Sequence, residues 1–418
     1  MSLSRHSLPV VIVRTALITP FFIFGVLSIV FTQFVGAVIF KSSPANRQSV
    51  MNLTKNHFIL LIGSIARLVC PCEISVTYDK ETLPESDSFR VDSGRHLISS
   101  LTPNSVIISN HQIYTDWLFL WFLSYTARFS YYIHIILKDM SNIPVLGFGM
   151  TNYNFLFLSR KWEKDKIQLS NQLAVLDANS RGMGPANGVQ LVATSATEGG
   201  IVKWPKGRRE NQIFPYQLIL FPEGTVPSVR TRGKSAEYIK FKDLPPLKHV
   251  LLPRVRGLYL SLRELRNSIE VVYDITTGYS GLVAGEIGEE SFSLKRHFLK
   301  GYGPSRINFH IRGFKISEIP LGDSNIDIDD VPEEELQKFE DWLLKVWYEK
   351  DALMDGFFKH GRFVDPKDPE NKEFFKNSVV ADLKLRNPLE VFVPFTTVIA
   401  ALLLLRLLYF FIRSALGY

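Results

Sequence analysis

The stretch SVIISNHQIYTDW, residues 105–117, decides how the rest of the chain is read. Its first five residues form a short run of Ser, Val and Ile, the pattern of a strand buried on both faces. The run then breaks into Asn110-His111-Gln112-Ile113-Tyr114-Thr115-Asp116, a polar exit from a strand. In open α/β sheets ligands collect at the carboxyl ends of the strands, so chemistry is expected at such an exit.

Working outward, two more apolar runs end the same way. QLILF at 217–221 leads into Pro222-Glu223-Gly224-Thr225, and VLL at 250–252 leads into Pro253-Arg254-Val255-Arg256-Gly257. Both read as strands buried on both faces. IEVVY at 269–273 and RINFHI at 306–311 read as further strands, the last alternating as an edge strand does. Residues 164–179 carry Ile167, Leu169, Leu173 and Leu176 at helical spacing. The expected fold is an α/β domain, a mixed sheet flanked by helices, with three polar exits facing one crevice.

His111 and Asp116 are five residues apart, which on one continuous helix is about 140° and puts them on different faces. They meet if His111 lies on the loop and Asp116 in the first turn of the following helix. Such a pair makes a general base, the carboxylate fixing the imidazole tautomer and stabilising the imidazolium. Taken alone, the same spacing more often marks a structural histidine near a helix start. An enzyme nucleophile is not evident. Gly278-Tyr279-Ser280-Gly281-Leu282 misses the nucleophile-elbow pattern at its last position, and neither Cys70 nor Cys72 has an activating neighbour in sequence. The base would therefore activate a hydroxyl brought by the substrate.

The 418 residues include 48 Lys and Arg against 41 Asp and Glu, a net charge of +7, with 46% hydrophobic residues. That balance excludes a disordered chain, which needs low hydrophobicity and high net charge. It also excludes a polytopic transporter built almost wholly of apolar spans. Two cysteines cannot form a disulfide framework or a four-cysteine zinc site. Nucleic-acid binding is unsupported, because the basic residues are dispersed and no recognition motif accompanies them.

Residues 15–40 contain no Asp, Glu, Lys or Arg, and a bilayer core needs about 20 apolar residues. The run is too long for an ordinary cleavable signal and reads as a retained anchor. Residues 391–412 are interrupted only by Arg406 and read as a second membrane helix, with an interfacial helix as the alternative. Two shorter candidates, 57–69 and 117–137, carry internal charges and are expected to lie at the interface or pack against protein rather than span. The resulting organisation is an anchor over 1–56, a catalytic domain over 57–316, a helical region over 317–386 and a membrane helix over 387–418. Within the domain, 181–211 reads as a loop insertion rich in Gly and small polar residues. Its Lys203, Lys206, Arg208 and Arg209 are either solvated or in touch with lipid phosphates. After acidic residues, Pro332 and Glu333 open a helix whose Leu336, Phe339, Leu343, Val346 and Trp347 share an apolar packing face.

The motifs together resemble a known family. The exit 110–116 resembles the first block of the glycerolipid acyltransferases that include the 1-acylglycerol-3-phosphate acyltransferases. Phe157-Leu158-Ser159-Arg160 resembles the second block, Phe221-Pro222-Glu223-Gly224-Thr225 the third, and Leu251-Leu252-Pro253 the fourth. The flanks Arg160-Lys161-Trp162, Arg254-Val255-Arg256-Gly257 and Val272-Tyr273-Asp274 resemble the eukaryotic endoplasmic-reticulum branch, which includes lysocardiolipin and lysophosphatidylinositol acyltransferases. The resemblance covers roughly 59–363.

It implies transfer of an acyl group from acyl-CoA, as co-substrate, to the hydroxyl of a lysophospholipid in the endoplasmic-reticulum membrane. It implies no metal and no resident cofactor, and nothing in the sequence singles out a protein partner. His111 would be the base and Asp116 its orienting carboxylate. Arg160 would hold the acceptor phosphate, and Glu223, Gly224 and Thr225 would seat the acceptor. Pro253 would shape the acceptor pocket, while Arg254 and Arg256 stand as headgroup contacts or as structural pairs. Many family members that prefer lysophosphatidic acid carry a basic residue directly after the third block, where this chain has Val226. A phosphodiester headgroup would miss that cation less than a phosphate monoester would, which tilts the reading towards a lysophosphatidylinositol-type acceptor over lysophosphatidic acid. A non-catalytic lipid-binding or scaffolding member of the fold is the rival from another class.

Overall fold

The computed structural model describes residues 7–159, 162–194, 200, 202–209, 213–323, 326, 330–364 and 377–416. Two long helices come first, α1 (Leu8–Ile39) and α2 (Pro44–Val69). They form an antiparallel hairpin whose close approach depends on small residues. A side chain at Gly36 would run into Val50, and a Cβ at Gly25 would lie 2.6 Å from both Leu61 methyls.

The sheet strands are β1 (Glu73–Tyr78), β4 (Ser105–Ser109), β5 (Ile133–Lys138), β6 (Leu156–Leu158), β9 (Gln217–Leu220), β10 (Val271–Tyr279), β11 (Arg306–Lys315) and β12 (Ser378–Asp382). Two ribbons lie outside it, β2 (Ser88–Val91) with β3 (Leu97–Ser100), and β7 (Ala193–Thr194) with β8 (Val202–Lys203). The remaining helices are α3 (Asp116–Thr126), α4 (Leu146–Asn152), α5 (Trp162–Ser180), α6 (Val229–Phe241), α7 (Val255–Leu265), α8 (Gly288–Ser291), α9 (Glu333–His360) and α10 (Thr396–Ala415).

The eight strands run in the order β12-β1-β11-β10-β4-β9-β5-β6. From β10 to β6 every pairing is parallel, so these strands end along one edge. β10 pairs antiparallel with β11, and β1 antiparallel with β12, which makes the sheet mixed, as expected. Alternate residues of each central strand feed two cores. Ile107, Ile219 and Tyr273 face the core shared with α1, α2 and α3, while Val106, Leu218 and Val272 face the one shared with α5, α7 and α9.

Two strand expectations are corrected. Residues 306–311 begin a strand that is internal, held between β1 and β10. The alternation that suggested an edge comes from Asn308 and His310, both buried and satisfied inside the sheet. Asn308 donates to the Gly278 carbonyl and the Ser280 hydroxyl, and His310 pairs with Thr77. Residues 250–252 make no ladder. Their approach is fixed instead by Asp351 of α9, which accepts the backbone N–H groups of Lys248, His249 and Val250.

α9 is tied to the sheet by ions as well as by its apolar face. Lys350 lies 2.6 Å from Asp274 of β10 and donates to the Ile275 carbonyl, while Arg312 of β11 bridges Asp274 and Glu349. Burial alone would raise the Asp274 carboxyl, yet Lys350 and Arg312 hold it below its ordinary value.

α1 and the segment Pro388–Ala415 are long and apolar enough to cross a membrane. The second segment starts as a 3-10 turn, Pro388–Phe395, before α10. No residue of α10 is buried, and Leu402, Leu404, Leu407 and Phe411 stand exposed, a surface that lipid suits and water does not. The protein is a membrane protein. The region 57–69 is the packed half of α2, and 117–137 divides into α3 and β5, so neither spans.

Candidate active site

β4 delivers its chain to the parallel edge, and the loop after it is held by its neighbour rather than by itself. The Asn110 amide donates to the Thr277 carbonyl at 3.0 Å and accepts the Thr277 N–H at 2.8 Å, a side chain standing in for the next residue of a ladder. His111 then lies on the loop and Asp116 at the first position of α3, the arrangement that lets a five-residue spacing close.

The His111 Nδ1–H donates to Asp116 Oδ2 at 2.8 Å, and the same oxygen accepts the N–H groups of Gln112 at 2.6 Å and Ile113 at 3.1 Å. The other carboxylate oxygen accepts the hydroxyl of Tyr279. Asp116 is fully buried, and such a charge is tolerable only with this many donors. With Nδ1 committed, Nε2 of His111 is left as the basic atom, and it bonds to no described residue. The ring is stacked on Phe221 with centroids 4.3 Å apart.

The second exit supports the first. Glu223 Oε1 accepts the His111 N–H at 3.4 Å, while its Oε2 is buried without a partner among the described residues. Burial holds this carboxyl well above the usual carboxylate range, against the backbone N–H groups of His111 and Leu251 that pull it down. Gly224 has φ +69°, and a Cβ there would sit 3.3 Å from the Arg254 Nε, so the turn and its neighbour both favour glycine. The third exit is joined to the second by the Arg254 N–H on the Pro222 carbonyl at 2.8 Å. Pro253 is buried, whereas Arg254 and Arg256 are exposed, and no described side chain bonds to either guanidinium. Among the described residues neither forms a structural pair.

All three exits line one cavity of about 1930 Å³. Its apolar end is walled by Ile18 and Phe22 of α1, Phe58 and Ile62 of α2, and Trp117 of α3. Its polar end is walled by Thr225, Lys234, Arg254 and Arg256, facing Glu333, Gln337 and Glu340 of α9. Val226 is buried on this wall. Arg232, which could have replaced the missing cation, is bound to the carbonyls of Gly285 and Glu286. Arg160 lies outside the described residues. The strand before it ends at Leu158, and the N–H and hydroxyl of the following Ser159 both donate to Asp165 at 2.7 Å.

Sequence reasoning missed Tyr279, the stacking of Phe221, and the walls supplied by α1 and α9. The α9 stripe was visible only as the polar side of a helix read for its apolar face.

The acyltransferase family model matches residues 77–243, and the acyltransferase C-terminus model matches 324–381, which takes in all of α9. The chain is 43% identical to the 2-acyl-1-lysophosphatidylinositol acyltransferase of Saccharomyces cerevisiae over 85% of this chain and 86% of that one. It is 28% identical to lysocardiolipin acyltransferase 1 of Gallus gallus, over 62% of this chain and 56% of that one. It is also 28% identical to lysophosphatidylinositol acyltransferase 10 of Caenorhabditis elegans, over 65% and 55% respectively. No solved structure matches the chain. With the motif blocks gathered on one cavity and a relative this similar along most of both chains, the protein belongs to the acyltransferase family and is an acyltransferase.

Proposed function

We propose that the protein is an acyl-CoA-dependent lysophospholipid O-acyltransferase of the endoplasmic-reticulum membrane, with a lysophosphatidylinositol-type acceptor. The observation that carries this reading is the free Nε2 of an Asp-oriented His111 in a cavity that is apolar towards α1 and cationic towards α7. A lysolipid brings one tail, one phosphate and one free glycerol hydroxyl, and the cavity offers a surface for each. The buried Val226, the engaged Arg232 and the likeness to the yeast 2-acyl-1-lysophosphatidylinositol acyltransferase favour a headgroup-bearing acceptor.

In this reading His111 Nε2 takes the acceptor hydroxyl proton as the oxygen attacks the thioester carbon. Asp116 stabilises the imidazolium that forms. The tetrahedral intermediate collapses to the new ester and releases a thiolate, and the imidazolium returns its proton to that thiolate or to water. A thiol has a pKa of about 8.5, so its departure needs little acid assistance. Arg254 and Arg256 would take the acceptor phosphate, with Arg160 as the family resemblance implies. Glu223, Gly224, Thr225 and Pro253 would shape the seat of the acceptor.

The test is acyl transfer from labelled acyl-CoA to a panel of lysophospholipids, using membranes with wild-type protein or His111→Ala. Loss of at least about 10³-fold is expected in the variant, with lysophosphatidylinositol the preferred acceptor. A preference for lysophosphatidic acid would replace the acceptor assignment. Equal activity of both folded proteins across the panel would sink the base assignment.

A further inference from the structure

The string Gly278-Tyr279-Ser280-Gly281 fails as a nucleophile elbow, yet it stands beside the catalytic loop for a reason of register. β10 pairs with β4 as far as Ile275 opposite Ser109, and then continues through Thr276 to Tyr279 while β4 has already ended. This overrun acts as a template for the residues after β4. Thr277 captures Asn110 by two hydrogen bonds, and Tyr279 reaches the far side of Asp116.

The two oxygens of Asp116 have separate duties. Oδ2 holds the His111 Nδ1–H and two backbone N–H groups, whereas Oδ1 has the Tyr279 hydroxyl as its hydrogen-bond donor. The phenol ring is 1% exposed and wedged between Phe119 and Phe292, with centroids 5.9 and 6.5 Å away. Among the described residues its hydroxyl has Asp116 as its hydrogen-bond partner. Burial first, and the Asp116 charge second, push this phenol well above its ordinary value, so it is a donor across the working range.

We infer that Tyr279 is a positioning residue for acyl transfer, holding the second oxygen of Asp116 so that the carboxylate stays aligned on His111 and its charge is shared between two donors. This rests on His111 acting as the base. Without the phenol, the Asp116 charge would concentrate on the oxygen facing His111, and the imidazolium would be held more tightly. The other ionisable groups around the pair are Glu223 from the second exit, Glu289 from the α8 segment, Cys72 before β1, and Lys350 of α9 beyond Glu223. None of these is changed by removing one hydroxyl from Tyr279.

The test is Tyr279→Phe in the full-length membrane protein, with kcat and KM for both substrates followed from pH 5.5 to 9. The expected result is a kcat lower by about tenfold, KM values within about twofold, and an acid limb displaced upward by about half a pH unit. The upward sign follows because the base must be neutral, and a better-held imidazolium loses its proton only at higher pH. p-Aminophenylalanine at 279, of the same shape but a weaker donor, is expected to fall between the two and covers the case in which Tyr279→Phe does not fold. In an Asp116→Asn background, removing the phenol hydroxyl should cost little more. An unmoved acid limb with unchanged kcat would overturn the inference, as would a loss of kcat equally large in the wild-type and Asp116→Asn backgrounds. Activity surviving in His111→Ala would instead bring down the base assignment beneath it, which is a distinguishable failure.

Discussion

The carboxyl of Glu223 has one oxygen on the backbone N–H of His111 and the other on nothing among the described residues, in a position 2% exposed. Its pKa is raised by burial, so its contribution to stability is fully present below the unfolded value and is lost as pH rises through the folded one. Glu223→Gln removes that titration and keeps the shape. The variant is expected to unfold at a higher temperature than wild type at pH 8, with the advantage shrinking towards pH 5. A difference that does not change with pH would contradict this. At this scale much of the site was legible. His111 and Asp116 could be placed because a five-residue run announced the strand and the polar exit announced where it stopped. Tyr279 could not, because it meets Asp116 across 163 residues and its register on β10 is set by a pairing that no local pattern encodes.

Among the elements, α9 shows most plainly what period and composition leave out. Its apolar face was readable as a packing face, and Phe339, Leu343, Val346 and Trp347 are indeed buried. Its ionic grip on the sheet was not, since Lys350 looks like any lysine on the polar side of a helix. Lys350 is fully buried against Asp274, and burial lowers its ammonium from the ordinary value while Asp274 supports it. Lys350→Met would leave Asp274 with Arg312 alone and is expected to destabilise the fold by about 3 kcal/mol. Denaturant unfolding in detergent would measure this, and a loss under about 1 kcal/mol would show that Arg312 suffices. The misreading of 306–311 has a related cause. Alternation marks a solvent face only when the polar partners are water, and Asn308 and His310 find theirs inside the sheet.

On the scale of the whole molecule, the sequence separated a mixed α/β domain from its apolar ends but could not show that the first of them shares a wall with it. The α1 residues that read as anchor also close the cavity of His111, with Ile18 and Phe22 lining its apolar end. A reaction chamber built partly from a membrane helix counts its lipid substrate per unit of surface, not per unit of volume. The rate should therefore follow the mole fraction of lysolipid in the film around α1. In mixed micelles at constant total lysolipid, adding a neutral detergent is expected to slow acyl transfer in proportion to the dilution of the surface. A rate indifferent to that dilution would mean the acceptor arrives from water. For such a catalyst crowding is two-dimensional, and the product is released back into the sheet of molecules from which the next substrate diffuses.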